Sequence, residues 1–292
     1  MKNLIWILII AGLTIIFLPK IQNKLVPQKQ ELISTERIKI QKECSQDQIC
    51  FTKQIQNLVH AQGYKHASLV LSDLVSNQDP KLKDCHLMAH GIGRGIFEAN
   101  KNDWRTIIGD VDFMCNYGIP HGIIESYLLS LKEGSISDTS ILKGVCPKDV
   151  HLSCYHVIGH ILVLDNAGNV DNALDKCDIF QTSQVENCYD GAFMENTYNS
   201  LSLEHGLIEK KYIKPFSVRI PELVQFCNKF GITTRNVICF REIARAGLIA
   251  NKYNLESALR VCDQALKPEA KEECVKWMNA DMAQRKNKKN KL

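Results

Sequence analysis

Seven cysteines each open a short, helix-compatible apolar stretch, and their recurrence limits this chain to a fold of repeated helical units. The stretches read CFTKQIQNLV from Cys50, CHLMAHGIGRGIF from Cys85, CNYGIPHGIIESYL from Cys115, CYHVIGHILVL from Cys154, CYDGAFMENTY from Cys188, CFREIARAGLI from Cys239 and CVKWMNADMA from Cys274. They stand 30 to 51 residues apart, most often near 35. That period belongs to stacked helical hairpins, in which each unit buries its apolar face only against its neighbours.

A second half of the pattern lies upstream. Shorter amphipathic runs end in Cys146 (SDTSILKGVC), Cys177 (VDNALDKC), Cys227 (IPELVQFC) and Cys262 (NLESALRVC), with Leu142, Leu174, Leu223 and Leu259 one helical turn before them. Each repeat therefore reads as a helix pair. Asp138, Asp171 and Asn254 are the expected N-caps and Pro221 a first-turn proline. The polar segments PKDVHLS, DIFQTSQVEN, NKFGITTRNVI and DQALKPEAKEE read as turns between the paired cysteines.

A cysteine closing one helix and another opening the next are close enough across a hairpin turn to form a disulfide. This register predicts the pairs Cys146 with Cys154, Cys177 with Cys188, Cys227 with Cys239 and Cys262 with Cys274, and makes Cys44 and Cys50 a fifth candidate pair. Cys85 and Cys115 remain, either bridged to each other or left as thiols, and an oxidising compartment favours the bridge. An even count of 12 cysteines placed by a repeat argues for such a compartment.

The N-terminus fits export. Leu4 to Leu18 is a run of 15 residues without a charge. As a helix it spans about 23 Å against a hydrocarbon core of about 30 Å, the length of a signal-peptide apolar region or a short anchor. No small-x-small cleavage site follows, so residues 1–19 read as an uncleaved signal anchor. Residues 20–43 then form a polar tether or solvated helix, 44–285 the helical repeat domain and 286–292 a basic tail. Lys20, Lys24 and Lys29 oppose this orientation, because positive charge tends to stay cytoplasmic, but the cysteine framework outweighs three lysines. The expected place is the extracytoplasmic face of a membrane.

The fold class is all-α: a right-handed α-solenoid of about six to seven disulfide-stapled hairpins behind one apolar anchor helix. The net charge of +4 owes much to the terminal RKNKKNKL, which reads as a solvated tail. With no aromatics interleaved there, no nucleic-acid partner is expected. The chain has no glycine-rich phosphate loop and no GxSxG, HExxH or DxDxDG motif, so nucleotide, hydrolase and calcium chemistries lack support.

The histidines point elsewhere. His86, His90, His121, His156 and His160 fall in three consecutive second helices, with His151 in a preceding turn. His86 and His90 are four apart, as are His156 and His160, and His121 stands four before Glu125. That spacing puts two side chains on one helix face, as when a helix offers two ligands to one cation. Equivalent positions on neighbouring helices, packed 8 to 10 Å apart, would let imidazoles from adjacent repeats share an ion. In the next repeat the register holds Met194, with Glu195 beside it. The competing reading is a set of hydrogen-bonded core histidines. Gly91, Gly93, Gly118, Gly122, Gly159 and Gly191 crowd the same layer, which points to close helix approach or a backbone-lined pocket. Pro120 should restart its helix, placing His121 in the first turn and Glu125 one turn deeper.

In its ALDKC and SALRVC first-helix endings and the cysteines at Cys188 and Cys274, the chain resembles tetratricopeptide-like solenoids. It is more closely similar to the cysteine-stapled helical-pair repeats of some secreted bacterial proteins. The resemblance covers residues 44–285; the tetratricopeptide Trp, Gly, Tyr and Pro signature is absent. It implies a superhelix with a concave binding face and transfers no catalytic residue. Two function classes follow. One is a binding or assembly module with a central His/Glu-lined groove that takes a protein or peptide partner. The other is a metal-binding protein or metalloenzyme using His86, His90, His121, Glu125, His156, His160 and Glu195, a set suited to zinc, copper or iron.

Overall fold

Helices make up the regular structure, and no strand occurs among the described residues of this computed structural model. Those residues are 30–45, 47–77, 85–100, 103–108, 111, 114–131, 136, 138–146, 152–199 and 216–289. The apolar run at residues 4–18, His151 and residues 290–292 of the basic tail lie outside them. No described helix is long and apolar enough to cross a membrane. The chain divides into two compact units, Met1–Ile123 and Ile124–Leu292.

In the first unit α1 covers residues 30–44, followed by α2 (Gln48–Gln62), α3 (Tyr64–Ser76), α4 (His86–Ala99), α5 (Trp104–Ile107) and the opening of α6 (Met114–Leu129). α1 falls within the residues read as a tether, yet it buries Ile33 and Ile40 and pairs Arg37 with Asp73 at 2.8 Å. The packed part thus begins upstream of Cys44. Asp47 caps α2 by accepting from the amides of Ile49 and Cys50, and Gly63, at φ +83°, ends α2 and starts α3 without a break. Phe51, Ile55 and Val59 form the buried face of α2, and Val70, Leu71 and Leu74 that of α3. α2 packs against both α3 and α4.

The second unit holds the rest of α6, then α7 (Thr139–Val145), α8 (Ser153–Asp165), α9 (Val170–Cys177), α10 (Thr182–Tyr198), α11 (Phe216–Asn228), α12 (Thr233–Ala250), α13 (Leu255–Cys262) and α14 (Pro268–Lys289). Its longer helices pack in chain order, α8 on α10, α10 on α12 and α12 on α14, with α9 and α13 closing the hairpins. Asp138 and Asn254 are the N-caps expected, accepting from the amides of Ser140 and Ser257.

Six disulfides pair all twelve cysteines: Cys44–Cys50, Cys85–Cys115, Cys146–Cys154, Cys177–Cys188, Cys227–Cys239 and Cys262–Cys274. No free cysteine remains. The five local staples and the longer bridge match the register read from sequence.

Helix boundaries differ from that reading in five helices. Cys188, Cys239 and Cys274 lie six residues inside α10, α12 and α14 rather than at their starts. The later half of each expected turn is already helical, because Gln184 accepts from the Gln181 amide and Pro268 supplies a first-position proline. Asn169 rather than Asp171 caps α9, accepting from the Asn172 amide. Pro221 lies inside α11, which begins five residues before it and forgoes one backbone hydrogen bond there. Leu259 is half-buried, while its neighbours Ala258 and Val261 fill the buried face of α13.

Candidate functional site

The Cys85–Cys115 bridge ties the start of α4 to the start of α6, across a separation of 30 residues. Glycine then lets the two backbones nearly touch. A Cβ on Gly93 would stand 2.2 Å from the Ile119 carbonyl oxygen, and one on Gly122 would stand 2.2 Å from that of His90. The glycine layer is therefore a close helix approach. Cys115, Asn116 and Tyr117 adopt φ of 56°, 54° and 64°, so the right-handed part of α6 begins only after them. Left-handed backbone costs about 1–2 kcal/mol per residue outside glycine, and the bridge and tight crossing hold it in place. His121 consequently sits in the first regular turn, as Pro120 led us to expect.

This crossing gathers His86, His90 and His121. His90 Nε2 and His121 Nδ1 each lie 3.1 Å from His86 Nε2. The three ligand nitrogens all lie within 4.8 Å of one another. His90 and His121 are 5% and 4% exposed. His86 Nδ1 is 2.9 Å from the Cys115 carbonyl oxygen, which can only accept, so the proton is on Nδ1 and the lone pair on Nε2. A tetrahedral zinc with bonds of 2.0–2.1 Å separates its nitrogen ligands by about 3.3 Å. Two of the three nitrogen separations are already close to that value. Glu125 is fully buried in the second unit's part of α6. His60 and His66 pair instead with Glu98 and Glu36.

The second unit repeats the device between α8 and α10. A Cβ on Gly159 would stand 2.0 Å from the Cys188 carbonyl oxygen, and Gly191 meets the His156 carbonyl as closely. His156 and His160 place their Nε2 atoms 3.0 Å apart. Their outer nitrogens face carboxylates: His156 Nδ1 is 2.9 Å from Asp190 Oδ2, and His160 Nδ1 is 3.1 Å from Glu195 Oε2. Asp190 also accepts from Arg241, whose guanidinium stacks 4.6 Å from the Trp277 ring and reaches Glu242 at 3.4 Å. Arg245 faces the other Glu242 oxygen at 3.8 Å.

Burial sets the electrostatics of this network. Burial holds the His156 imidazole below its ordinary value, and the hydrogen bond to Asp190 only partly offsets it. Burial alone would raise Asp190, yet its bonds to His156 and the Arg241 charge hold it well below the carboxylate range. Glu242 is pushed up to about 8 by burial and by the charge on Asp190, against the pull of Arg245 and Arg241. One carboxyl of the pair is an anion and the other a neutral acid near pH 7.

The sequence offers His86, His90, His121, Glu125, His156, His160 and Glu195 as one candidate set, whereas the structure brings His86, His90 and His121 together in the first unit and His156, His160 and Glu195 in the second; Asp190, Arg241, Glu242 and Arg245 were missed. A signal existed. His156, Asp190 and Arg241 stand two residues after Cys154, Cys188 and Cys239, so one register carries His, Asp and Arg on three successive long helices. Comparison with protein-family models, curated proteins and solved structures finds no match to the chain.

Proposed function

We propose that the chain is an extracytoplasmic helical-repeat protein that binds a transition-metal ion through His86, His90 and His121. The convergence of three imidazole nitrogens in a buried crossing carries this reading. The neighbouring Cys115 carbonyl accepts from His86 Nδ1 and so fixes the tautomer that offers Nε2, as a ligating histidine usually gives its other ring hydrogen to an oxygen. An all-imidazole set suits zinc, copper or iron better than magnesium or calcium. Six disulfides point to an oxidising compartment. The apolar run at residues 4–18 supports a signal anchor that holds the helical part outside the cytoplasm. The chain-order packing of the long helices in the second unit supports an α-solenoid of the tetratricopeptide-like kind.

Elemental analysis of tag-free protein from its native compartment tests the metal reading. Near-stoichiometric zinc, copper or iron is expected, and His121→Ala should remove one ion while leaving the helical circular dichroism intact. Because protonated imidazole has no lone pair to give, retention should weaken as the pH falls below about 6. Protein that takes up none of these metals and loses stability on replacement of His121 would make the trio core hydrogen-bonders. The repeat would then be a binding or assembly module for a protein or peptide partner.

A further inference from the structure

The two histidine pairs are built alike. His86 with His90 and His156 with His160 have ring centroids 4.7 Å apart and interplanar angles of 66° and 68°. Each pair sits beside a glycine three residues past the facing helix's cysteine: Gly118 meets the His86 carbonyl oxygen, and Gly191 that of His156. This equivalence fixes a register between α6 and α10. The residue three past Gly118 is His121, the third member of the first cluster. The residue three past Gly191 is Met194, half-buried.

The protons of the second pair are also accounted for. With Asp190 and Glu195 ionised, each carboxylate can only accept and takes the Nδ1 hydrogen of His156 or His160. Neutral rings in those tautomers present one Nε2 lone pair to the other across 3.0 Å. Such a contact requires a cation between the nitrogens, either a shared proton or a metal ion. Imidazoles backed by carboxylates are the stronger ligands. With every cysteine oxidised, methionine is the soft donor left to the described residues.

We propose that His156, His160 and Met194 form a second metal site, selective for copper(I), in the second unit. Two imidazoles and a thioether suit that soft ion, whereas the three imidazoles of the first cluster have no such bias. This inference rests on its own residues and survives failure of the site at His86, His90 and His121.

The test uses the full-length oxidised chain carrying His90→Ala and His121→Ala, which removes the first cluster. Copper is supplied with ascorbate, which keeps it cuprous and leaves the disulfides closed, and bicinchoninate competes for it. One copper(I) per chain should resist the chelator. Adding His160→Ala should abolish retention, and Met194→Leu should weaken it at least about tenfold while changing zinc affinity much less. No retained copper in a folded chain would overturn the proposal and leave a shared proton between the rings. Equal copper affinity in Met194→Leu would overturn the assignment of a soft third ligand. Should the double variant fail to fold, the unmodified chain decides: copper(I) stoichiometry must fall by one on His160→Gln, and an unchanged stoichiometry contradicts the site.

Discussion

Glu242 is a buried carboxylic acid beside the part-buried carboxylate of Asp190, and that asymmetry makes stability depend on pH in two directions. Glu242 titrates near 8 when folded against 4.5 as a reference, so its contribution is full below about 4.5 and is lost as the pH rises through 8. Asp190 is shifted the other way, so its contribution is present above its reference value of 3.8 and is lost as the pH falls below it. Glu242→Gln, which keeps the neutral shape, should flatten the decline in Tm between about pH 5 and 8 and leave acid unfolding unchanged. A Tm profile for the variant parallel to that of the parent chain would contradict this assignment. The histidines were legible because their four-residue spacing marks one helix face. Asp190, Arg241 and Glu242 were not, because a charged residue at one position of a repeat usually means a solvated surface. Only the packing of α10 on α12 shows that this register is partly covered and its charges paired.

At the level of elements, the crossing of α4 and α6 decides whether the first site exists. Gly122→Ala puts a methyl group into the His90 carbonyl, and moving either backbone separates His121 from His86. Overpacking of this kind costs about 1–3 kcal/mol, and metal retention should fall with it. Replacing Cys85 and Cys115 together by serine reopens a loop of separation 30 and should cost about 2–4 kcal/mol in urea unfolding. The same variant should lose the ion of the first site while Gly159 and Gly191 keep the second crossing closed. Retention of metal at parental affinity in both variants would show that the crossing does not position the ligands. Helix pairs and their staples could be read from the cysteine period, since hairpin closure leaves little freedom in pairing. Helix starts could not, because Gln181 and Pro268 begin α10 and α14 inside segments whose polarity reads as turn.

At the scale of the whole molecule, six disulfides tie folding to an oxidising compartment. A reporter fused after Leu292 should be active only if it functions outside the cytoplasm, and thiol reduction should lower Tm strongly. Activity of a reporter that works only in the cytoplasm would contradict the export reading. The division after Ile123 was hidden in the sequence, because the cysteine period runs through it unbroken and α6 spans it. The proposed sharing of one ion by His86, His90 and His121 is open to direct measurement. Anomalous diffraction at the zinc edge from zinc-loaded crystals addresses it directly. A peak is expected about 2.0–2.1 Å from His86 Nε2, His90 Nε2 and His121 Nδ1. Bound zinc with no peak among those three nitrogens would contradict it.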